Sequence, residues 1–229
     1  MTLHLRQPMS TAKIEALIDE ALLTKPRSPL YRDVFKRIMD TTLVLLISLP
    51  VLLVLLPIAF LISRDGASPL YFQKRVGRNG RIFYMWKLRS MVPNAHALLE
   101  AHLAANPEAR AEWDRDQKLK NDPRITRVGR FIRKTSLDEL PQLVNVLTGD
   151  MALVGPRPMM VEQQELYPGS AYYALRPGIT GFWQISVRNE SSFADRAKFD
   201  TEYLRKVSVM TDLAVMLRTV KVVLKGTGC

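Results

Sequence analysis

The chain has 229 residues, with 33 Lys and Arg against 22 Asp and Glu, hence a net charge of +11 and an isoelectric point near 9.9. With 47% hydrophobic and 24% charged residues it can bury a core, which excludes global disorder and collagen-like or low-complexity classes. Its one cysteine, Cys229, excludes an internal disulfide and any Cys-based zinc site, as expected of a reducing compartment, while the positive excess calls for an anionic partner: nucleic acid, an anionic membrane surface or a phosphorylated small molecule.

Residues 1–35 form an N-terminal extension with a helical pattern over Ala12 to Leu23, followed by Pro26 and Pro29, which read as a linker. Val34 to Asp40 begins an amphipathic helix leading into Leu43–Ile62, a run of twenty residues without charge. That is the ~20 residues a membrane helix needs, and it is longer and deeper in the chain than a signal peptide core. Seven basic residues precede the run (Arg6, Lys13, Lys25, Arg27, Arg32, Lys36, Arg37) and seven follow it (Arg64, Lys74, Arg75, Arg78, Arg81, Lys87, Arg89). Lys and Arg near membrane segments stay on the cytoplasmic side, so a spanning helix would strand one cluster on the wrong face. Pro50, inside the run, removes a helical hydrogen bond and clashes with the preceding turn, and Pro57 can add a second bend. These features predict a re-entrant helix-break-helix over residues 36–66; an ordinary kinked transmembrane helix is the alternative.

Residues 67–229 make up the remainder. Leu70 to Lys74 and Ile82 to Leu88 read as two strands around a Gly77–Gly80 turn. Asn94 to Lys120 is a charged helical stretch broken at Asn106-Pro107, and further helices are expected at Arg124–Arg133, Asp138–Leu147, Phe193–Lys206 and Asp212–Lys225. In the last of these, Arg218, Lys221 and Lys225 lie beside Leu213, Met216, Leu217, Val220 and Leu224, a pattern that suits either a membrane-surface helix or a helix packed on a soluble core.

Four segments could carry chemistry. In RITRVGRFIRKTSLDELPQ (124–142), Arg127, Arg130 and Lys134 share a helical face with Arg133 adjacent, and the acidic pair Asp138-Glu139 follows. Ser136 and Glu139 have the spacing of a capping box, which is compatible with a second role: a carboxylate beside several arginines stays ionised and can act as a nucleophile while its neighbour binds a metal. In Met85–Met91, Lys87 and Arg89 project from one strand face, unfavourable unless an anion lies near, although a solvated edge would read the same. Gly155-Pro156-Arg157-Pro158 restrains the backbone around one Arg, as a phosphate fork or as a rigid turn. Pro177–Gly181 is a turn-rich loop before Phe182-Trp183-Gln184, whose ring could floor a site or belong to the core. His4, His96 and His102 have no metal spacing. Together these segments describe a membrane-attached basic surface with one acidic pair, which is what handling a diphosphate through a divalent ion requires.

From KRIMD (36–40) through the Pro-broken apolar run, FQKRVGRNG (72–80), KLRSM (87–91), SLDELPQLVNVLTGDMALVGPRP (136–158) and RPGITGFWQ (176–184), the chain resembles the bacterial sugar transferases, the monotopic polyprenyl-phosphate phosphoglycosyl transferases. Within them it is most similar to the galactosyl- or glucosyl-1-phosphate transferases that start exopolysaccharide assembly. The resemblance implies a mainly helical α/β fold with a small sheet, carried on a re-entrant helix at the cytoplasmic face of the bacterial inner membrane. It also implies transfer of a phosphosugar from a UDP-sugar to undecaprenyl phosphate with release of UMP. Asp138 matches the nucleophile, Glu139 its partner, and Mg²⁺ is expected at this pair. Arg133 and Arg157 match phosphate-binding arginines, and Lys87 and Arg89 the basic motif near the site. Membrane lipids and downstream glycosyltransferases are the implied partners, nucleic acid is not, and a homodimer is an open expectation. Two departures are visible: Leu49 intervenes between Ser48 and Pro50, where family members often have Ser directly before Pro, and the first 35 residues lie outside the match. A membrane-tethered nucleic-acid binder or an inactive scaffold are the competing readings; the chain has no recognisable helix-turn-helix or aromatic-basic RNA motif.

Overall fold

A computed structural model of the chain describes residues 11–23, 28–186 and 193–224. Helix α1 (Thr11–Leu23) is not detached: its Ala21 is buried in a cluster with Tyr31, Val154, Ala171, Tyr203 and Leu204. A π-helical turn (Tyr31–Phe35) leads into α2 (Lys36–Ser63). There the structure corrects the expectation at Pro50: both Pro50 and Pro57 lie inside one uninterrupted helix rather than at a break. Proline removes a single N–H and the rest of the ladder can persist around it; Ser48 also donates to the Leu45 carbonyl (2.7 Å), adding a bond next to the turn that Pro50 disturbs.

The side of α2 toward the protein is drawn from residues three or four apart or their multiples. Val44 and Val51 pack with Phe83, Met85, Leu143 and Val146, and farther along Leu55, Ile58, Ala59 and Ile62 pack with Leu88 and Ile132. The other side leaves Leu45, Leu46, Leu49, Leu53, Leu56 and Phe60 exposed. From Tyr31 to Ser63 the helix is long and apolar enough to cross a membrane.

Strands β1 (Leu70–Val76) and β2 (Ile82–Leu88) pair antiparallel from Leu70 opposite Leu88 to Val76 opposite Ile82, as the sequence indicated. The turn between them takes Asn79 and Gly80 into the left-handed region, which these two residue types tolerate. Next come α3 (Ala95–Ala105) and α4 (Pro107–Asp116), with Pro107 opening the second helix as expected, and α5 (Arg127–Lys134). The predicted helix at 138–147 starts later: Leu137–Glu139 is a 3₁₀ turn and α6 covers Gln142–Thr148. Strand β3 (Ala152–Val154) pairs in parallel with β4 (Gly178–Thr180) across a connection that contains a 3₁₀ segment (Val161–Leu166) and α7 (Ala171–Ala174). The chain closes with α8 (Phe182–Ile185), α9 (Arg196–Lys206) and α10 (Val209–Leu224). The described residues make up a mainly helical α/β fold with two two-stranded sheets. Helix α10 buries Val215 and Asp212 against the core and exposes Met210, Leu213, Leu217 and Val220, so it packs on the core with one face and keeps an apolar stripe on the other; Lys225 lies outside the described residues.

A buried polar node ties α2 to this core. Lys36 Nζ lies 2.5 Å from Asp212 Oδ2 and 3.5 Å from Asp40, while Tyr31 and Tyr203 each donate to Asp212 at 2.7 Å. Arg37 donates to the Val146 carbonyl and, at 2.7 Å, to that of Leu147, closing the C-terminal end of α6. The KR…D signature at 36–40 is thus the joint between the apolar helix and the domain.

Candidate active site

Strand β2 presents Phe83, Met85 and Lys87 to one side by its two-residue period. Phe83 and Met85 fill the core, and the row ends with the Lys87 ammonium over the 3₁₀ turn that carries the acidic pair. Lys87 Nζ stands 2.9 Å from Glu139 Oε1 and 3.9 Å from Asp138 Oδ2, so it bonds the first and only faces the second. Asn145 on α6 holds this edge of β2: its Oδ1 accepts from the Trp86 amide (3.0 Å) and its Nδ2 donates to the Tyr84 carbonyl (2.8 Å). The same amide fixes the helix after the acidic pair against the strand that carries Lys87.

Helix α5 supplies the next cation. Thr126 caps it by accepting from the Gly129 amide (2.8 Å), and Gly129 allows the helix to lie on the backbone of Ser90: a Cβ at 129 would stand 1.9 Å from the Ser90 carbonyl oxygen. This contact brings Arg133 Nε to Ser90 Oγ (2.8 Å), with its charge felt at Asp138. Arg127, Arg130 and Lys134 point to solvent instead, so of the basic face seen in the sequence only Arg133 turns toward the acids. The capping box at Ser136 does not form. Ser136 adopts φ 57° and makes no side-chain cap bond, which reverses the chain direction so that Asp138 and Glu139 sit on a tight turn.

Burial pushes the Asp138 carboxyl above the ordinary carboxylate range; Lys87 pulls it back, Glu139 raises it again and Arg133 lowers it. With a side chain 13% exposed, Asp138 is sheltered yet reachable. Among the described residues no group of three or more His, Cys, Asp or Glu is arranged to hold a metal. Mg²⁺ commonly keeps several waters and takes one or two carboxylates together with phosphate oxygens, and two adjacent carboxylates with mutual repulsion fit a site of that kind once a diphosphate completes it.

Arg89 goes elsewhere. Its guanidinium grips Asp65 through two contacts (2.6 and 2.7 Å) and donates to the carbonyls of Ser68 (2.7 Å), Ile62 (3.1 Å) and Met91 (3.2 Å). Asp65 is held at about 2 by those bonds. Arg89 therefore clamps the exit of α2 to the end of β2 and is not a free cation beside the acids. Arg157 lies on the loop after β3, exposed, with its guanidinium carbon 5.5 Å from the Trp183 ring centre. That loop is fused to the Pro177–Gly181 segment: a Cβ on Gly178 would meet Gly155 N at 2.1 Å, and one on Gly181 would meet Gly155 O at 2.1 Å. The two motifs, distant in sequence, are one backbone unit, and Trp183 is buried as the core reading expected.

Residues 31–226 match the family model described as bacterial sugar transferase, and the chain belongs to that family. Among similar proteins, the UDP-galactose-lipid carrier transferase of Erwinia amylovora is 53% identical over 182 residues, 79% of this chain and 38% of that protein. The undecaprenyl-phosphate galactose phosphotransferase of Salmonella typhimurium is 48% identical over 193 residues, 83% of this chain and 40% of that one. The exopolysaccharide production protein ExoY of Rhizobium meliloti is 44% identical over 178 residues, covering 77% of this chain and 79% of the relative. The chain thus spans about two-fifths of the length of the first two and most of the third.

Proposed function

We propose that the chain transfers a hexose-1-phosphate from a UDP-sugar to undecaprenyl phosphate, the first step in building an exopolysaccharide or related glycan, with Asp138 as the nucleophile. The observation that carries this reading is the asymmetry at Lys87: Glu139 is bonded to it, while the Asp138 carboxylate, sheltered and partly neutralised, is left unbonded to it 3.9 Å away. An Asp138 oxygen attacks the β-phosphorus, the bond from that phosphorus to the bridging oxygen breaks, and UMP departs with the electron pair. The lipid phosphate then attacks the same phosphorus and displaces the Asp138 carboxylate. Lys87 and Arg133 offset the repulsion between an anionic nucleophile and an anionic diphosphate. Mg²⁺, held by Asp138 and Glu139, would supply further charge neutralisation of the phosphates. Covalent storage on the protein lets a water-soluble donor and a lipid acceptor use one centre in turn.

The packing of α2 supports attachment to one membrane face. The Tyr31–Ser63 helix is about 50 Å long at 1.5 Å per residue, yet it is fixed to the same domain near its start, by Lys36 and Arg37, and at its exit, by Asp65 with Arg89. Its outward apolar side then faces lipid, with the catalytic domain at the cytoplasmic surface. The activity is tested by adding UDP-galactose or UDP-glucose, undecaprenyl phosphate and Mg²⁺ to the nanodisc-embedded protein. UMP and a lipid-linked sugar diphosphate should form in equal amounts; absence of both with every UDP-sugar tried would overturn the reading.

A further inference from the structure

Beyond the acidic pair, three arginines from separate parts of the fold converge. Arg75, on β1, donates to the Pro158 carbonyl (3.2 Å) and to Gln73 Oε1 (2.6 Å), which lays its side chain along the Arg157-Pro158 loop. Arg196, in the first turn of α9, places its guanidinium carbon 4.3 Å from the Trp183 ring centre and 4.7 Å from that of Phe193. Arg157 shares the Trp183 ring at 5.5 Å. None of the three forms an ion pair within 4.0 Å among the described residues, and the Nε atoms of Arg75 and Arg196 are buried without a hydrogen-bond partner. Burial, and after it the charge of Arg157, depresses the proton affinity of both: Arg196 is pulled down to about 10 and Arg75 is lowered. The carboxylates felt there are Asp200 at Arg196, itself bonded to Tyr167 (2.8 Å), and Glu139 at Arg75. Two half-buried arginines with orphaned donors, gathered beside a third, exposed one, are unfavourable by themselves and become favourable around an anion.

We propose that Arg75 and Arg196 join Arg157 in a subsite for the nucleotide half of the donor, binding the phosphate that leaves as UMP, so that Lys87 and Arg133 serve the phosphoryl group being transferred and this trio serves the group that departs. The assignment rests on the phosphosugar-transfer reading above. Glu139 links the two sets, since it bonds Lys87 and its charge reaches Arg75. The planar guanidinium of Arg196, held on Trp183 and Phe193, has its remaining donors preoriented for phosphate oxygens.

The test measures UMP binding directly, by titration calorimetry on the nanodisc-embedded protein, together with KM for each substrate. Arg196→Gln and, separately, Arg75→Gln should weaken UMP about ten-fold and raise KM for the UDP-sugar similarly, with KM for undecaprenyl phosphate unchanged. Arg196→Lys, which keeps the charge and much of the packing, should fall between wild type and Arg196→Gln. Unchanged UMP affinity, a rise in KM for the lipid alone, or an equal loss for both substrates in all three variants would each overturn the subsite. A wild-type protein that releases no UMP from any UDP-sugar would overturn the transferase reading instead, a distinct outcome because UMP binding is measured without turnover.

Discussion

Two lysines in this molecule each stand between two carboxylates, and they are built to opposite ends. Lys36 lies between Asp40 and Asp212 with side chains 7%, 3% and 0% exposed, and Asp212 additionally accepts from Tyr31 and Tyr203. Lys87 lies between Asp138 and Glu139 with side chains 20%, 13% and 29% exposed, bonds Glu139, and leaves Asp138 at 3.9 Å. The charges are the same, and each cluster holds one incompletely bonded acid: Asp40, with a buried Oδ1 that has no partner among the described residues, and Asp138, 3.9 Å from its lysine. The difference is that the Lys36 cluster is closed to water around Asp212, which takes short bonds from Lys36, Tyr31 and Tyr203, whereas Asp138 and Glu139 can be reached from outside. A buried acid whose lone pairs are taken up by short bonds is locked and serves as a joint, here between the apolar helix and the core. An acid that is desolvated but incompletely bonded keeps its nucleophilic lone pairs, and its environment penalises its charge in the resting state.

The contrast is broken most forcefully at the joint. Lys36→Met leaves two buried carboxylates without their cation and should cost about 3–5 kcal/mol, seen as a lowered midpoint in chemical denaturation. The matching Lys87→Gln should cost much less stability, since its partners reach water, and should act on pH dependence. Lys87 is the largest influence lowering the Asp138 pKa, which burial has raised. Removing it raises that pKa further, so the acidic limb of the kcat/KM profile for UDP-sugar should move to higher pH. Reactivity needs the ionised carboxylate, so activity is present above that pKa and lost as pH falls through it. A shift in the opposite direction would mean that Asp138 does not set the limb.

Local signals in the sequence carried over well into the fold. The alternating apolar runs around Gly77–Gly80 became β1 and β2, and Pro107 opened α4. What was not legible depends on tertiary contact. β3 and β4 pair over only a few residues across a long connection, and close approach of Gly155, Gly178 and Gly181 makes that pairing possible; no period announces it. Ser136 reads as a helix cap, but its left-handed conformation turns the acids outward from the helix and toward Lys87. Pro50 reads as a break because the rule considers one helix alone, whereas α2 is braced along its length by Phe83, Leu143, Leu88 and Ile132. In the site, Asp138, Glu139, Lys87 and Arg133 are brought together as the motifs suggested, while Arg89 is taken by Asp65. Asn145, Arg75 and Arg196 were missed. Each owes its place to a partner 59 or more residues away (Asn145 to Trp86, Arg75 to Pro158) or to an aromatic ring in another element, and no spacing rule covers such pairs.

The most direct test of the central claim is intact-protein mass spectrometry after incubation with Mg²⁺ and a UDP-sugar in the absence of undecaprenyl phosphate. One equivalent of UMP should be released while the protein gains the mass of one hexose phosphate, with the adduct mapping to Asp138 and absent from Asp138→Asn. Release of UMP only when lipid phosphate is present, with no adduct under either condition, would contradict the account and leave Asp138 without the role of nucleophile.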